Sequence, residues 1–425
     1  MLIKINAGLD LDPGTTARTP VQNGPAVNEV GLVGPDYTDV RFKVTVTEGA
    51  RVRLGQTLMT HRKHPELRFT SPGAGIVTAV QRGARRRLMS VVIRLDGEGE
   101  VEFPAFSADA LVSLPFDDVC ASLMDSGLWT SFRTRPYNRV PAPGTRPRAI
   151  FVTAIDTSPG AADPATIIME QPAAFRDGLS VVDRLSAEST YLCTPPGSPV
   201  SGCAPPGLVT AEFQGRHPAG LPGTHMHYLE PVTEQADLWH VGYQDIIAIG
   251  KLFRSGRLST ERFVAVYEPA LQRSRLLRTR TGASLPQLLD DDTDGCRIVS
   301  GDLLSGRQAT GNTAYLGRYD RQVSVLPEFR NSRRPDNDAP TVTTALHGSP
   351  SGMLAVEAFE RVWPFAPPPI PLLRALLIKD TETAVRLGGL GLAEEDLALC
   401  SYVCPAKYDY AQALRATLRE IQRDT

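Results

Sequence analysis

Cysteine is scarce in this sequence. Six residues in 425, Cys120, Cys193, Cys203, Cys296, Cys400 and Cys404, are scattered without a Cys-x-x-Cys pair. That is too sparse for a disulfide framework and fits a reducing compartment. Long hydrophobic runs are missing as well. The most apolar stretches, DIIAIGKLF at 245–253 and IPLLRALLI at 370–378, fall far short of the roughly 20 residues that span a bilayer. The opening MLIKINAGLDLDP has no basic segment followed by an apolar one and does not read as a secretory signal. Neither sign of charge dominates: 45 Lys and Arg face 47 Asp and Glu, a formal charge of −2, so no overall field draws the chain to nucleic acid. Nucleotide loops of the form GxGxxG or GxxxxGK(S/T) do not occur. The nearest fragments, GGLGLAEE at 388 and IAIGKLF at 247, lack the spacing that wraps backbone N–H groups around a phosphate. There is no internal repeat and no heptad run.

What is present is globular: 42% apolar residues, 22% charged residues and 36 Gly, in a chain long enough for about three domains of roughly 150 residues each. Residues 1–105 read as a β domain. From Phe42 to Leu95 the apolar residues alternate at period two in VTVTEGARVRLGQTLM and SPGAGIVTAVQRG, with Gly49, Gly55, Gly75 and Gly83 where tight turns call for positive φ. Residues 106–255 change to α/β character. FDDVCASLMDSG predicts a helix ending near Gly127, RAIFVTAID at 148–156 a buried strand, and LVTAEF another strand. GRHPAGLPGTHMHYL predicts a loop, and DLWHVGYQDIIAIGKLFRSG a strand or turn leading into a helix. Residues 256–328 return to β character in RFVAVYEP, LLRTRTGASLPQLL and RIVSGDLLSG, a small β-grasp-like module. Residues 329–368 read as a linker, and 369–425 as helices: LLRALLIKDTETAVRL stopped by Gly388 and Gly389, then AEEDLALCSYVC, then YDYAQALRATLREIQRD.

Several residue groups carry chemistry. The pattern V-x-x-G-x-x-V-x-x-G-Q-x-L with S-P-x-x-G-x-V resembles a biotinyl/lipoyl barrel, a barrel-sandwich hybrid. Lys63 lies near the hairpin tip, but THRKHPELRF holds a proline and lacks the flanks of a carrier lysine, which favours a structural barrel. His225 and His227 form H-x-H in a predicted loop, with His217 and His240 further off. No carboxylate or cysteine spacing completes a zinc set, so hydrogen-bonding histidines are the simpler reading. Cys400 and Cys404 fall on one helix face and read as buried thiols, two being too few for an iron–sulfur cluster. GLWTSFRTRPYNRVP at 127–141 gathers Trp129, Phe132, Arg133, Arg135, Tyr137 and Arg139. Such a loop suits a flat, carbonyl-bearing ring, and equally suits packing against a neighbouring domain or protein. RGARRR at 82–87 is either a solvated turn or a contact to anionic lipid. No Ser-His-Asp constellation can be drawn.

Taken together, GLWTSFRTRP, GRHPAGLPGTHMHYL, WHVGYQDIIAIGKLF, RTRTGASL, YLGRYDRQVSVL and EEDLALCSYVCPAKYDY resemble the NqrA family, peripheral components of the sodium-translocating NADH:quinone oxidoreductases. The resemblance implies a peripheral subunit on the cytoplasmic face of a bacterial inner membrane. Its partners would be the other proteins of a six-subunit complex, the membrane-embedded NqrB above all. It also implies an SLBB-like identity for the β-grasp module. NADH, FMN, FAD and iron–sulfur centres would be carried by the partners, with ubiquinone as electron acceptor.

The domain order is also similar to that of RnfC and of the flavin-binding subunit of complex I. In those relatives a Gly-rich loop cradles the flavin phosphate. Here the positions after Ser126, Gly127 and Leu128 read WTSFRTRP without glycine, DTSP at 156–159 replaces an acidic segment, and only Cys400 and Cys404 remain of the cluster cysteines. The expectation is therefore a subunit with no tightly bound cofactor, with Trp129, Phe132, Arg133, Arg135, Tyr137 and, more weakly, His217 near quinone or at a subunit interface. The competing readings are a stand-alone flavin- and NADH-dependent dehydrogenase and a purely structural assembly scaffold.

Overall fold

In the computed structural model, residues 1–11, 20–233, 237–269, 273–289, 293, 295–328 and 352–424 are described. Residues 329–351, most of the expected linker, lie outside the described residues. The second domain is built on a six-stranded sheet in the order Leu2–Ile5, Val209–Gly215, Ser189–Thr194, Ala149–Thr153, Leu238–Gly242 and Arg133–Arg135. All neighbours are parallel except the last pair. The central strand AIFVT is buried at all of its positions, as a parallel strand covered on both faces requires.

Helix α1 (Phe116–Ser126) stops at Gly127, whose φ of 80° is the left-handed cap the sequence predicts. Helix α2 (Pro172–Asp183) carries Gly178 in its middle. The predicted loop GRHPAGLPGTHMHYL instead contains helix α3 (Pro222–Leu229). Pro222 at its start is preorganised for the first turn, which a proline-and-glycine reading as loop overlooks. Helix α4 (Tyr243–Ser255) follows its strand directly and crosses α2 closely. A Cβ on Gly178 would run into the carbonyl of Ile246, and one on Gly250 into that of Ala174.

The barrel-sandwich domain has two sheets. One is ordered Glu29–Val33, Leu88–Leu95, Gly75–Arg82 and Arg51–Val52, the other Phe42–Val44, Thr57–His61 and Arg68–Thr70. Val30, Val52, Leu58, Phe69, Val77, Val91 and Ile93 fill the space between them. Gly49 and Gly55 have the expected positive φ, 84° and 78°. Gly75 and Gly83 do not. Gly75 is required because a Cβ would meet the backbone of Arg94, and Gly83 has φ −96°. The left-handed positions of that turn are Arg85 and Arg86, at 53° and 57°.

The β-grasp sheet runs Arg307–Gln308, Cys296–Ser300, Gln322–Pro327, Glu261–Glu268, Arg273–Arg280 and Val21–Asn23. Two short N-terminal strands thus serve other domains. Leu2–Ile5 extends the α/β sheet, and Val21–Asn23 pairs in parallel with Arg273–Arg280.

The predicted helix over LLRALLIKDTETAVRL is two. Helix α5 (Pro369–Ile378) ends at Lys379 with φ 60°, and Asp380 caps α6 (Thr381–Arg386) by accepting from the Thr383 amide at 3.0 Å. Helix α7 (Tyr410–Asp424) closes this unit. Within 352–368 a short helix, Ala358–Val362, sends Phe359 and Val362 into the same core, joined by Trp363 and Phe365. Cys400 and Cys404 are free and buried there. The helix Ala398–Val403 ends one residue before Cys404, whose Sγ lies 3.5 Å from the Tyr410 hydroxyl. Among the described residues, no helix is long and apolar enough to cross a membrane.

Candidate functional site

The carboxyl ends of parallel strands open onto a crevice, the usual ligand position in such sheets. Here Thr153 and Gly242, at the ends of two central strands, border a cleft of about 380 Å³ to which all four domains contribute. Asp36 comes from the barrel, Ser131, Arg133, Asp156, His240 and Asp245 from the α/β domain, Arg318 to Gln322 from the β-grasp module, and Glu394 and Glu395 from the helical unit.

Most of the charge in this cleft is internally paired. Arg318 Nη1 donates to both carboxylate oxygens of Asp245, at 3.0 and 3.2 Å, and Nη2 to Ser131 Oγ at 2.7 Å. Its backbone amide donates to Asp36 Oδ2 at 2.8 Å. Arg262 Nη2 also reaches Asp245 Oδ1, at 2.7 Å. Arg307 pairs with Asp36, and Arg321 with Asp156, each at 3.2 Å. Burial still pushes the Asp36 carboxyl up to about 6 despite Arg307, and it raises Asp320 too. Burial first, then the guanidinium groups of Arg135 and Arg133, drive His240 well below its ordinary range, so its ring is neutral.

Arg133 differs from the other arginines. Its Nε and Nη2 donate to the Asn138 side-chain and backbone oxygens at 3.1 and 3.3 Å, and its guanidinium stacks 4.5 Å over the Tyr319 ring. Among the described residues it has no carboxylate within 4.0 Å and nothing accepts from Nη1.

The remaining predicted site residues are placed elsewhere. Trp129 and Phe132 are 1% and 0% exposed and pack on Trp239 at 5.3 and 5.6 Å. Trp129 Nε1 donates to the Pro141 carbonyl at 3.0 Å. Arg135, 0% exposed, donates to Asn138 Oδ1 at 2.6 Å and Glu395 Oε1 at 3.0 Å, tying the α/β domain to the helical unit. The Tyr137 carbonyl accepts from Arg415 Nη1 at 2.8 Å in the same seam. His217 is buried with its ring against Thr157 Oγ1 at 3.3 Å, outside the cleft lining.

His225 and His227 lie on helix α3, not in a loop, and do not converge. His225 sits in the core 4.2 Å from the Phe213 ring, and burial pulls it down to about 3. His227 accepts the Ala366 amide at 3.1 Å. Sequence reasoning singled out neither Asp245 nor Arg318, Tyr319 and Arg321. Arg318, Tyr319 and Arg321 were signalled by the charged and aromatic alternation RYDR inside the block YLGRYDRQVSVL, and Asp245 only by its place in WHVGYQDIIAIGKLF.

The segment after Gly127 does not form a phosphate cradle. Leu128–Ser131 is a buried 3-10 turn. The amides of Leu128, Thr130 and Phe132 are engaged by Ser126 Oγ, the Gly127 carbonyl and the Trp129 carbonyl. A flavin phosphate needs such amides free and convergent.

Family models described as the NqrA N-terminal barrel-sandwich hybrid domain, the NqrA second alpha/beta domain and the NQRA C-terminal domain match residues 3–96, 114–258 and 263–311. Curated NqrA proteins, each named as a component of a Na(+)-translocating NADH-quinone reductase, align over 100% of both chains. They include those of Pseudomonas aeruginosa at 44% identity, Klebsiella pneumoniae at 43% and Yersinia pestis at 42%. A solved NAD+-reducing NiFe hydrogenase overlaps 75% of this chain and 63% of its own at 12% identity, with a TM-score of 0.41, too low to carry an argument. Identity at this level from end to end, with family models over the barrel, α/β and β-grasp domains, places the chain in the NqrA family of the Na(+)-translocating NADH-quinone reductases.

Proposed function

We propose that the chain is a peripheral subunit of a sodium-translocating NADH:quinone reductase, docked on the cytoplasmic face of the membrane against the membrane-embedded NqrB. In this reading it carries no flavin or iron–sulfur centre of its own, and its four-domain cleft receives the quinone head group. The observation that carries the reading is Arg133, a cleft guanidinium that among the described residues has no carboxylate partner and no acceptor at Nη1, held 4.5 Å over the Tyr319 ring. A quinone oxygen gains negative charge as electrons arrive, and a preorganised donor there stabilises that charge more than the neutral ring. The engaged amides after Gly127 support the absence of a flavin in this chain, and the names of the relatives support quinone reduction by the complex.

The test is an absorbance spectrum of the purified chain followed by thermal unfolding with and without a soluble ubiquinone analogue. A colourless protein stabilised by quinone is expected, by about 2.7 kcal/mol when the analogue is at 100 times its Kd. Arg133→Ala should lose that gain while unfolding near the wild-type temperature without quinone. Stoichiometric flavin would restore the dehydrogenase reading. A colourless chain without a quinone shift would favour the scaffold, which the convergence of three domains on Arg318, Asp245 and Asp36 also suits.

A further inference from the structure

The hairpin Gly75–Arg82 and Leu88–Leu95 turns through RGARRR, a segment that the cleft does not use. Arg82, Arg85, Arg86 and Arg87 are all exposed. Among the described residues none has a carboxylate within 4.0 Å. Two other arginines of this barrel are partnered, Arg51 by Asp96 at 3.4 Å and Arg68 by Asp125 at 3.1 Å, whereas the tip gathers four without a carboxylate into one turn.

The turn is also stiff. Gly83 N donates to the Arg87 carbonyl at 2.8 Å, the Arg86 and Arg87 amides donate back into the turn at 3.1 Å each, and Arg82 Nη1 reaches the Arg86 carbonyl at 3.2 Å. Arg85 and Arg86 both hold left-handed backbone, φ 53° and 57°. For non-glycine residues this conformation costs on the order of 1 kcal/mol each. Four like charges therefore lie side by side on an exposed turn, where they repel one another unless negative charge covers them.

We propose that this hairpin tip is an electrostatic foot that rests on anionic lipid head groups. The tip offers charge more than an amide cradle, because the Gly83, Arg86 and Arg87 amides are engaged within the turn, and a plane of phosphates matches that better than a single anion. The choice of lipid takes from the family only that its members translocate sodium, which requires a membrane. It does not depend on the quinone reading. A bilayer surface attracts such clusters by about 1 kcal/mol per basic residue, and salt screens the attraction.

The purified full-length chain should co-sediment with phosphatidylglycerol–phosphatidylcholine vesicles at least about tenfold more than with phosphatidylcholine alone, and less as salt is raised. Arg85→Gln with Arg86→Gln should weaken that binding by about thirtyfold, and Arg85→Lys with Arg86→Lys should keep most of it. Both pairs should unfold at the wild-type temperature, since the side chains touch no core. Equal binding to both vesicle types, no binding, or a glutamine pair that binds like wild type would overturn the proposal. Loss of partner proteins from the glutamine pair without any vesicle binding would assign the tip to an acidic protein surface instead. The quinone thermal shift is read on the lipid-free chain, so either reading can fail without the other.

Discussion

Arg318 of the β-grasp module and Asp245 in the first turn of α4 form a two-contact ion pair at 3.0 and 3.2 Å, and both side chains are nearly sealed from solvent. Burial alone would lower the Arg318 pKa, but the Asp245 carboxylate and the phenols of Tyr37 and Tyr319 push it above its ordinary value. Arg262 shares the same carboxylate. One aspartate therefore pairs with two buried guanidinium groups, both from the β-grasp module, and joins that module to the α/β domain.

Asp245→Asn should lower stability by about 3–5 kcal/mol, because it leaves buried positive charge uncompensated. Chemical unfolding of the purified chain checks the size. A double-mutant cycle with Arg318→Met should give a coupling above about 1 kcal/mol, since the two residues share one network.

Asp396 makes the seam between α/β domain and helical unit sensitive to pH. It is 4% exposed beside Gly223, its Oδ1 has no hydrogen-bond partner, and its Oδ2 lies 3.8 Å from Arg135 and 2.8 Å from the Ala393 amide that it accepts. Burial pushes this carboxyl up to about 7, with Glu395 and Glu394 adding to the rise and Arg135 opposing it. The native state then keeps a proton that the unfolded chain has released. This contribution to stability is complete below about pH 4 and is lost as pH rises through about 7. Asp396→Asn removes it. Melting temperatures measured from pH 5 to 8 should therefore favour the variant increasingly over wild type as pH rises, with no further change above pH 8. A constant difference across that range would refute the assignment.

The α2–α4 crossing depends on two missing side chains. Gly250→Ala should cost about 1–3 kcal/mol, because the new methyl meets the Ala174 carbonyl and the helices must separate. Gly202→Ala, where a Cβ meets nothing within 4 Å, should stay within about 0.5 kcal/mol of wild type. Differential scanning calorimetry of the two variants makes the comparison.

Helix α1 with its glycine stop, the buried strand AIFVT and the join from Leu238–Gly242 into α4 were readable because each is specified by neighbours in sequence. The edge strands Leu2–Ile5 and Val21–Asn23 were not, since each is completed by a partner more than 200 residues away. The break at Lys379 escaped for a different reason: apolar periodicity runs through it, and only the Asp380 cap marks the new start.

Arg133 and Arg135 show where sequence stops being sufficient. They stand two apart on one edge strand, opposite His240 and Leu238, so they share a face of the sheet. The sequence by itself determined the family, the domain classes and the fact that this segment concentrates aromatic and cationic residues, because those follow from local pattern and motif. Only the tertiary structure decided that Glu395 and Asn138 seal Arg135 inside the molecule while Arg133, bound to Asn138, meets no carboxylate among the described residues at the cleft. The reason is physical: periodicity reports which residues share a face, whereas burial and charge pairing depend on which distant element covers that face.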